Sequence, residues 1–209
     1  MKLTNLVSKA LLESKSLNNK TIINVDIQPE YEDYVTFDLH EWAKFINKSS
    51  SKNGIIFLYN GEDTLGMIKE DSYIDWLYNL GVKERVLLQS TFYDKGYAFF
   101  RYCMDSSIDD ESIVSLIKYM INNDIADSRD IDEDMWIDFM EATDHSFSEI
   151  RELLEDAGDM IHLPDLMDFL ENYQNIILTG GGINECLKEV ELALMALDKK
   201  YETYSKFTY

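Results

Sequence analysis

Five apolar segments along the chain predict the strands of a sheet. Three of them, IINVDI at 22–27, IIFLY at 55–59 and NIILT at 175–179, are short, nearly continuous and rich in β-branched residues. This pattern is typical of strands that are buried on both faces. The segments RVLLQSTFY at 85–93 and YETYSKFTY at 201–209 predict a third strand and a final one that reaches the last residue.

Between these segments, apolar residues recur every three or four positions, which predicts helices. The helical pattern covers residues 2–15, 39–49, 72–82, 109–122, 130–143, 146–158, 164–173 and 183–198. Asp38 is placed to cap the second helix, Gly81 to end the third, and Pro164 to open the seventh. The alternation predicts an α/β fold: a three-layer, Rossmann-like parallel sheet with helices on both faces and a helical insert.

Acidic residues dominate the polar positions, and the chain carries a net charge of −21. Residues 105–159 hold 18 acidic residues against three basic ones, a net charge of −15. We interpret this stretch as an acidic helical insert into an α/β core formed by residues 1–104 and 160–209. An acidic surface repels phosphate groups, so neither nucleic acid nor an anionic membrane is an expected partner. The insert is read as a solvated helical face, with a basic protein partner as the alternative.

The chain has the features expected of a cytoplasmic protein. No apolar run approaches the roughly 20 residues of a membrane span, and the first 16 residues predict an amphipathic helix rather than a signal peptide. The two cysteines, Cys103 and Cys186, do not suggest a disulfide framework, which favours a reducing compartment. A single disulfide between them is the alternative.

Three consecutive glycines, Gly180, Gly181 and Gly182, follow the strand at 175–179 and precede a helix that carries Cys186. A strand, a glycine turn and a helix start aim several N–H groups at one small space. The turn is open to three readings: a phosphate cradle that lacks both the P-loop and G-x-G-x-x-G spacings, a plain tight turn, or an oxyanion site beside a cysteine nucleophile. Cys186 is either that nucleophile or a buried structural cysteine.

Asp26 is out of place inside the apolar run IINVDI. A buried carboxylate without partners is costly, so it requires hydrogen bonds, a cation or a catalytic role. At the end of a parallel strand, where ligands bind in such sheets, it is a candidate general base. The alternative is a carboxylate that caps a neighbouring loop.

These segments resemble the isochorismatase-like cysteine hydrolases. INVDIQPEY resembles the strand–Asp–x–Gln opening of that family, and the segment from Ile176 through the helix resembles its nucleophile motif, with Gly180 six positions before Cys186. YDKGYAFF resembles the family's lysine motif and offers Lys95. The three matches occur in the family's order of Asp, Lys and Cys.

The resemblance implies a mechanism for the hydrolysis of a small amide or carbamoyl C–N bond. Asp26 takes the proton of Cys186, Lys95 holds the pair electrostatically, and the thiolate attacks a carbonyl carbon. The backbone turn at Gly181, Gly182 and Ile183 receives the oxyanion. The family also places a cis peptide in this turn, which corresponds to the bond between Gly181 and Gly182.

No cofactor is implied, and no metal is expected, because LYNGEDTLG after the second strand contains no histidine. The predicted partner is a small-molecule substrate, and the family's subunit contacts near the site make a homo-oligomer an expectation to test. The alternative function is a catalytically degenerate scaffold that acts as a protein-interaction module through its acidic insert.

Overall fold

The computed structural model describes residues 20–49, 54–96, 109–125, 131–143 and 163–209. The predicted helices at 2–15 and 146–158 lie outside these residues, as does Cys103.

Five parallel strands form a single sheet in the described part of the chain. They are β1 (Thr21–Val25), β2 (Ile55–Tyr59), β3 (Thr91–Asp94), β4 (Ile176–Gly180) and β5 (Tyr201–Thr203). Their order across the sheet is β3-β2-β1-β4-β5, which is the order of the doubly wound dinucleotide-binding folds. The prediction of a Rossmann-like parallel α/β sheet is confirmed.

Eight α-helices are described, and we number them in chain order. They are α1 (Leu39–Ser49), α2 (Glu62–Leu65), α3 (Glu70–Leu80), α4 (Glu84–Leu87), α5 (Asp110–Asn122), α6 (Glu133–Thr143), α7 (Leu163–Glu171) and α8 (Cys186–Ala196). The predicted end of α3 is confirmed, since Gly81 follows it in the left-handed conformation with φ of 106°.

The segment at 85–93 contains the start of the predicted third strand, whereas the prediction of the final strand was wrong in extent. The chain from Glu84 to Leu87 forms α4, so the third strand begins only at Thr91. The final strand stops at Thr203, and Ser205–Phe207 form a 3₁₀ turn. The ring of Phe207 is buried among aromatic residues, including Phe45 at a centroid distance of 5.2 Å. Burial of this ring on the sheet therefore explains an apolar pattern that resembles a strand.

Successive side chains of the strands alternate between two helical layers. Ile22 and Phe57 belong to a core shared with α1 and α3. Ile23 and Leu58 belong to a second core shared with α5, α6, α7 and α8. Both faces of the sheet are therefore covered, which is why its central strands are apolar at almost every position.

The described helices of the acidic segment form part of the second layer. Ile117 of α5 and Phe139 of α6 are fully buried in the same core as β1 and β4. The outer face of α6 is acidic: Asp134 and Asp138 are exposed, as is Asp132 directly before the helix. The described helices of this segment are thus amphipathic, while the boundaries of a separate insert at 105 and 159 stay a prediction.

One polar side chain lies within the sheet with every polar atom paired. Asn24 of β1 accepts hydrogen bonds from the Trp42 indole N–H at 3.1 Å and from the Thr179 hydroxyl at 2.6 Å. Its amide group donates to the Ile56 carbonyl at 3.0 Å. Since buried polar groups are tolerated when they are hydrogen-bonded, this network joins three neighbouring strands and α1.

None of the helices in the described ranges is long and apolar enough to cross a membrane.

Candidate active site at the carboxyl edge of the sheet

The candidate site lies where the sheet changes its winding direction. From β1 the chain proceeds to β2 on one side, and β4 later pairs on the other side, with Val25 opposite Gly180. Open α/β sheets bind their ligands in the crevice outside the carboxyl ends of such strands. Asp26 and the glycine turn are therefore neighbours at this edge.

Asp26 follows β1 in the left-handed conformation, with φ of 49°. Aspartate tolerates this region better than most residues that carry a side chain. Its N–H donates to the Leu58 carbonyl at 2.9 Å, which fixes the residue beside β2. The carboxylate is fully buried, yet neither of its oxygens accepts a hydrogen bond from the described residues.

Lys95 occupies the equivalent place after β3. Its N–H donates to the Tyr59 carbonyl at 2.9 Å, and its side chain is fully buried. The Lys95 Nζ lies 3.1 Å from Asp26 Oδ2, so the predicted aspartate and lysine form a buried ion pair. Burial alone would lower the pKa of Lys95, but the charges of Asp26 and Glu189, with that of a Cys186 thiolate, raise it. The side chain is therefore an ammonium at physiological pH.

A second carboxylate shares this ammonium. Glu189 of α8 is fully buried, and its Oε2 lies 3.2 Å from Lys95 Nζ. Lys95 donates three hydrogen bonds: to Glu189 Oε2, to Asn60 Oδ1 at 3.2 Å and to the Gly96 carbonyl at 3.1 Å. An ammonium has three N–H donors. Asp26, at 3.1 Å, is a fourth close contact of the same ammonium.

Cys186 is the first residue of α8 and is not part of a disulfide. The residue is buried, and it also belongs to the wall of a surface cleft. It lies one helical turn before Glu189, which places both residues on the side of α8 that meets Lys95. The structure therefore brings Asp26, Lys95 and Cys186 to one site, with the thiol at the cleft and the charges behind it.

The glycine turn requires glycine at two of its three positions. Gly180 and Gly181 have φ of 79° and 61°, in the left-handed region. A Cβ on Gly180 would lie 2.3 Å from the Val25 carbonyl oxygen, and one on Gly181 would lie 2.8 Å from the Leu187 nitrogen. A Cβ on Gly182 would meet only the side chain of Glu185, at 3.2 Å. The first two glycines thus turn the chain sharply from β4 towards α8.

The expected cis bond between Gly181 and Gly182 is not found, since the described residues contain no cis peptide. Two left-handed glycines make the turn instead. At the next residue, the Ile183 N–H donates to the main-chain oxygen of Tyr209 at 2.7 Å. An oxyanion that used the Ile183 amide would have to displace this bond.

Tyrosines form much of the cleft, which has a volume of about 600 Å³. Tyr31, Tyr34 and Tyr209 line it together with the turn at 182–186. The Tyr209 hydroxyl donates to the Asp26 carbonyl oxygen at 3.0 Å, and its N–H donates to Gly181 at 3.2 Å. Burial and the charge of Asp26 raise the pKa of Tyr209, so this phenol stays a neutral donor.

Sequence reasoning missed two polar members of the site. Asn60 directly follows β2, and its amide group joins Lys95 to the Tyr31 hydroxyl, to which it donates at 2.9 Å. Its signal is the one that identified Asp26, a polar residue after a buried strand. Glu189 has a weaker signal: it lies three residues after Cys186, and the residues three and four positions after it on the same helical face, Leu192 and Ala193, are apolar.

No group of three or more histidine, cysteine or acidic side chains suited to a metal ion occurs among the described residues.

Comparison of the chain with protein-family models, with curated proteins and with solved structures finds no match.

Proposed function

We propose that the protein is a cysteine hydrolase that cleaves a C–N bond of a small amide or carbamoyl compound. One observation carries the proposal: Asp26 and Lys95 form a buried ion pair at the carboxyl edge of the sheet, and Cys186, from a third part of the chain, lies close enough for its charge to act on Lys95. The sequence resembles the isochorismatase-like hydrolases in these same three residues and in their order along the chain. Membership of that family is itself part of what we propose.

The chemistry begins with proton transfer within the buried cluster. The thiol proton of Cys186 passes to a carboxylate oxygen of Asp26, whose lone pairs hold no hydrogen bond among the described residues. This transfer leaves the net charge of the cluster unchanged, so it avoids the cost of adding charge to a buried site. Lys95, fixed by three hydrogen bonds, stabilises the negative charge on either partner.

The thiolate then attacks the substrate carbonyl carbon, forming a C–S bond and an oxyanion that amides of the glycine turn receive. Collapse of this intermediate breaks the C–N bond, and Asp26 returns its proton to the leaving nitrogen. A water molecule, deprotonated by the same carboxylate, attacks the thioester. The C–S bond breaks, the acid product leaves, and the thiol is restored.

The cleft supports a small substrate rather than a polymer. Its volume of about 600 Å³ falls within the range of about 300–1,000 Å³ that is usual for small-molecule sites. Three tyrosine rings offer flat surfaces to a small substrate. Apart from the tyrosines and Cys186, Glu185 is the one ionisable residue among the described residues that line the cleft. Because its charge is negative, a neutral amide fits the cleft better than an anionic one.

The test is trapping of the acyl-enzyme. The protein with Cys103→Ala, which leaves Cys186 as the single thiol, is incubated with a panel of small neutral amides and analysed by intact mass spectrometry. We expect a covalent acyl adduct and release of ammonia or amine. Cys186→Ala abolishes both, and Asp26→Asn slows adduct formation at least about 100-fold, the usual contribution of a general base.

The outcome that refutes the proposal is an unmodified Cys186 with every amide while the protein remains folded.

A second candidate function, the interaction module, is favoured by the exposed Ile137, at 43% exposure, amid the acidic outer face of α6. It predicts that a basic partner binds equally well to the wild type and to Cys186→Ala, and more weakly to Asp134→Lys.

A further inference from the structure

The cleft contains two exposed apolar side chains that the proposed mechanism does not use. Tyr34 and Ile183 are 69% and 53% exposed, and both line the cleft. Exposed apolar groups on one concave surface, next to polar residues, are typical of ligand sites. Since the chemistry takes place at Cys186, these side chains belong to the part of the cleft that would hold the non-reacting end of a substrate.

Three tyrosines that line the cleft, Tyr31, Tyr34 and Tyr209, form what we call its aromatic wall. Two of them are held by hydrogen bonds at their hydroxyl groups. The Tyr31 hydroxyl accepts from the Asn60 amide at 2.9 Å, and the Tyr209 hydroxyl donates to the Asp26 carbonyl oxygen at 3.0 Å. A wall that is fixed before a ligand arrives loses little conformational entropy when the ligand binds.

Glu185 adds a carboxylate to the lining of the cleft. It is exposed and directly precedes α8, but its side chain does not cap that helix. Among the described residues, it takes part in none of the ion pairs. Its negative charge is therefore available to a ligand in the cleft.

The segment that contributes two of the three tyrosines is acidic as well. It is the 3₁₀ helix Pro29–Tyr34, on which Glu30, Glu32 and Asp33 are all exposed. No lysine or arginine is among the described residues that line the cleft. The described surroundings of the cleft thus combine aromatic rings with negative charge.

This combination favours a ligand that is both cationic and apolar. A cation is attracted to the face of an aromatic ring, and sites for quaternary ammonium groups are built from such rings. A carboxylate adds a direct charge attraction, and the methyl groups of an alkylated ammonium suit the exposed apolar side chains. A neutral ligand would use the aromatic wall but gain nothing from the acidic residues, and an anionic ligand would be repelled.

We propose that the non-reacting end of the substrate is a quaternary or alkylated ammonium group, bound by the aromatic wall and Glu185, while its neutral amide lies at Cys186. This inference rests on the proposed function for the identity of the reacting group. Binding of the ammonium group concerns the cleft alone, so it can be tested without turnover.

The test compares two amides of the same shape. One is 2-(trimethylammonio)acetamide, and the other is 3,3-dimethylbutanamide, in which a carbon atom replaces the ammonium nitrogen. Their dissociation constants are measured by ligand-observed NMR titration at low ionic strength with the Cys186→Ala variant, which removes the nucleophile. We expect the cationic amide to bind at least about tenfold more tightly than the neutral one.

Two variants at the cleft and one matched control locate this preference. Glu185→Gln and Tyr34→Leu, each in the Cys186→Ala background, should reduce it at least about threefold. Both side chains are exposed, so both variants should fold. The control is Glu191→Gln on α8, whose carboxylate accepts a hydrogen bond from the Thr203 hydroxyl at 2.5 Å. It removes the same charge from the chain outside the cleft and should leave the preference unchanged.

Equal affinities for the two amides, or no binding of the cationic amide, overturn the inference. So does a preference that neither cleft variant reduces, or one that the control reduces as much as Glu185→Gln does. A cationic preference without an acyl-enzyme in the protein that retains Cys186 upholds the ligand class and rejects the hydrolase. An acyl-enzyme formed from neutral amides, with no cationic preference, upholds the hydrolase and rejects the ligand class.

Discussion

Replacement of Lys95 by methionine removes a cation that, among the described residues, contacts two fully buried carboxylates, those of Asp26 and Glu189. Methionine has nearly the same length, so packing is retained while the charge is lost. Removing one partner of a buried ion pair costs about 3–5 kcal/mol, because the remaining charge is left uncompensated. We expect a loss of this size at pH 7 in the free energy of unfolding, measured by urea denaturation with tryptophan fluorescence.

The matched control is Lys69→Met. Lys69 also contacts a carboxylate, Glu62, at 3.3 Å, but the two side chains are 69% and 50% exposed. Exposed ion pairs contribute about 0–1 kcal/mol, so this variant is expected to unfold at nearly the same urea concentration as the wild type. The difference between the two variants isolates the effect of burial.

The pH dependence of the free energy of unfolding provides a second test. In the wild type, the folded pKa of Lys95 lies above the unfolded value, so its stabilisation is complete below about pH 10.4 and declines only above it. In Lys95→Met, buried carboxylates without a cation have raised pKa values and can fold as neutral acids. The deficit of the variant should therefore shrink between pH 7 and pH 5. A loss no larger than that of Lys69→Met, equal at both pH values, would refute the argument.

Three further variants test the surrounding structure by urea denaturation. Gly180→Ala places a Cβ 2.3 Å from a β1 carbonyl oxygen at φ of 79° and should cost well over 2 kcal/mol, whereas Gly66→Ala, at φ of 66° but with nothing within 4 Å, should cost only about 1–2 kcal/mol of backbone strain; equal losses would contradict the steric argument. Asn24→Leu removes the oxygen that accepts hydrogen bonds from the Trp42 indole and the Thr179 hydroxyl, and should cost about 2–5 kcal/mol. Thr179→Val leaves that oxygen its hydrogen bond from the indole and should cost about 1 kcal/mol; the reverse order would count against the network. Tyr209→Phe removes a single hydrogen bond of 3.0 Å and should cost about 1 kcal/mol, with no loss if the phenol is solvated in solution.

The central strands were predictable from the sequence because burial on both faces leaves little ambiguity. The apolar run at 55–59 matches β2 at both ends, and the helix at 39–49 matches α1. The segment after Thr203 was not predictable in the same way. It is rich in aromatic residues, as strands are, but Tyr204 and Phe207 pack on Phe45 with centroid distances of 5.2 Å each. Aromatic packing of this kind depends on the tertiary structure.

The residues of the site likewise divide into those that the sequence predicts and those that it does not. Asp26 was identifiable because a carboxylate in an apolar strand needs an explanation whatever the tertiary structure is. Lys95 required the resemblance, and Glu189 was missed, because on a helix every polar residue has a solvated face as its default position. Its partner lies 94 residues away in the sequence. Pairings of that separation are fixed by the sheet order rather than by local pattern.

The position of β1 between β2 and β4 has a consequence for the order of folding. β1 and β2 are near neighbours in the chain, while β4 begins only at Ile176. Closing so long a loop is entropically unfavourable and slow. Refolding chains should therefore form the β1–β2–β3 half first, with the far edge of β1 open to association with other chains. Recovery of a reactive Cys186 should lag behind recovery of the first helical layer.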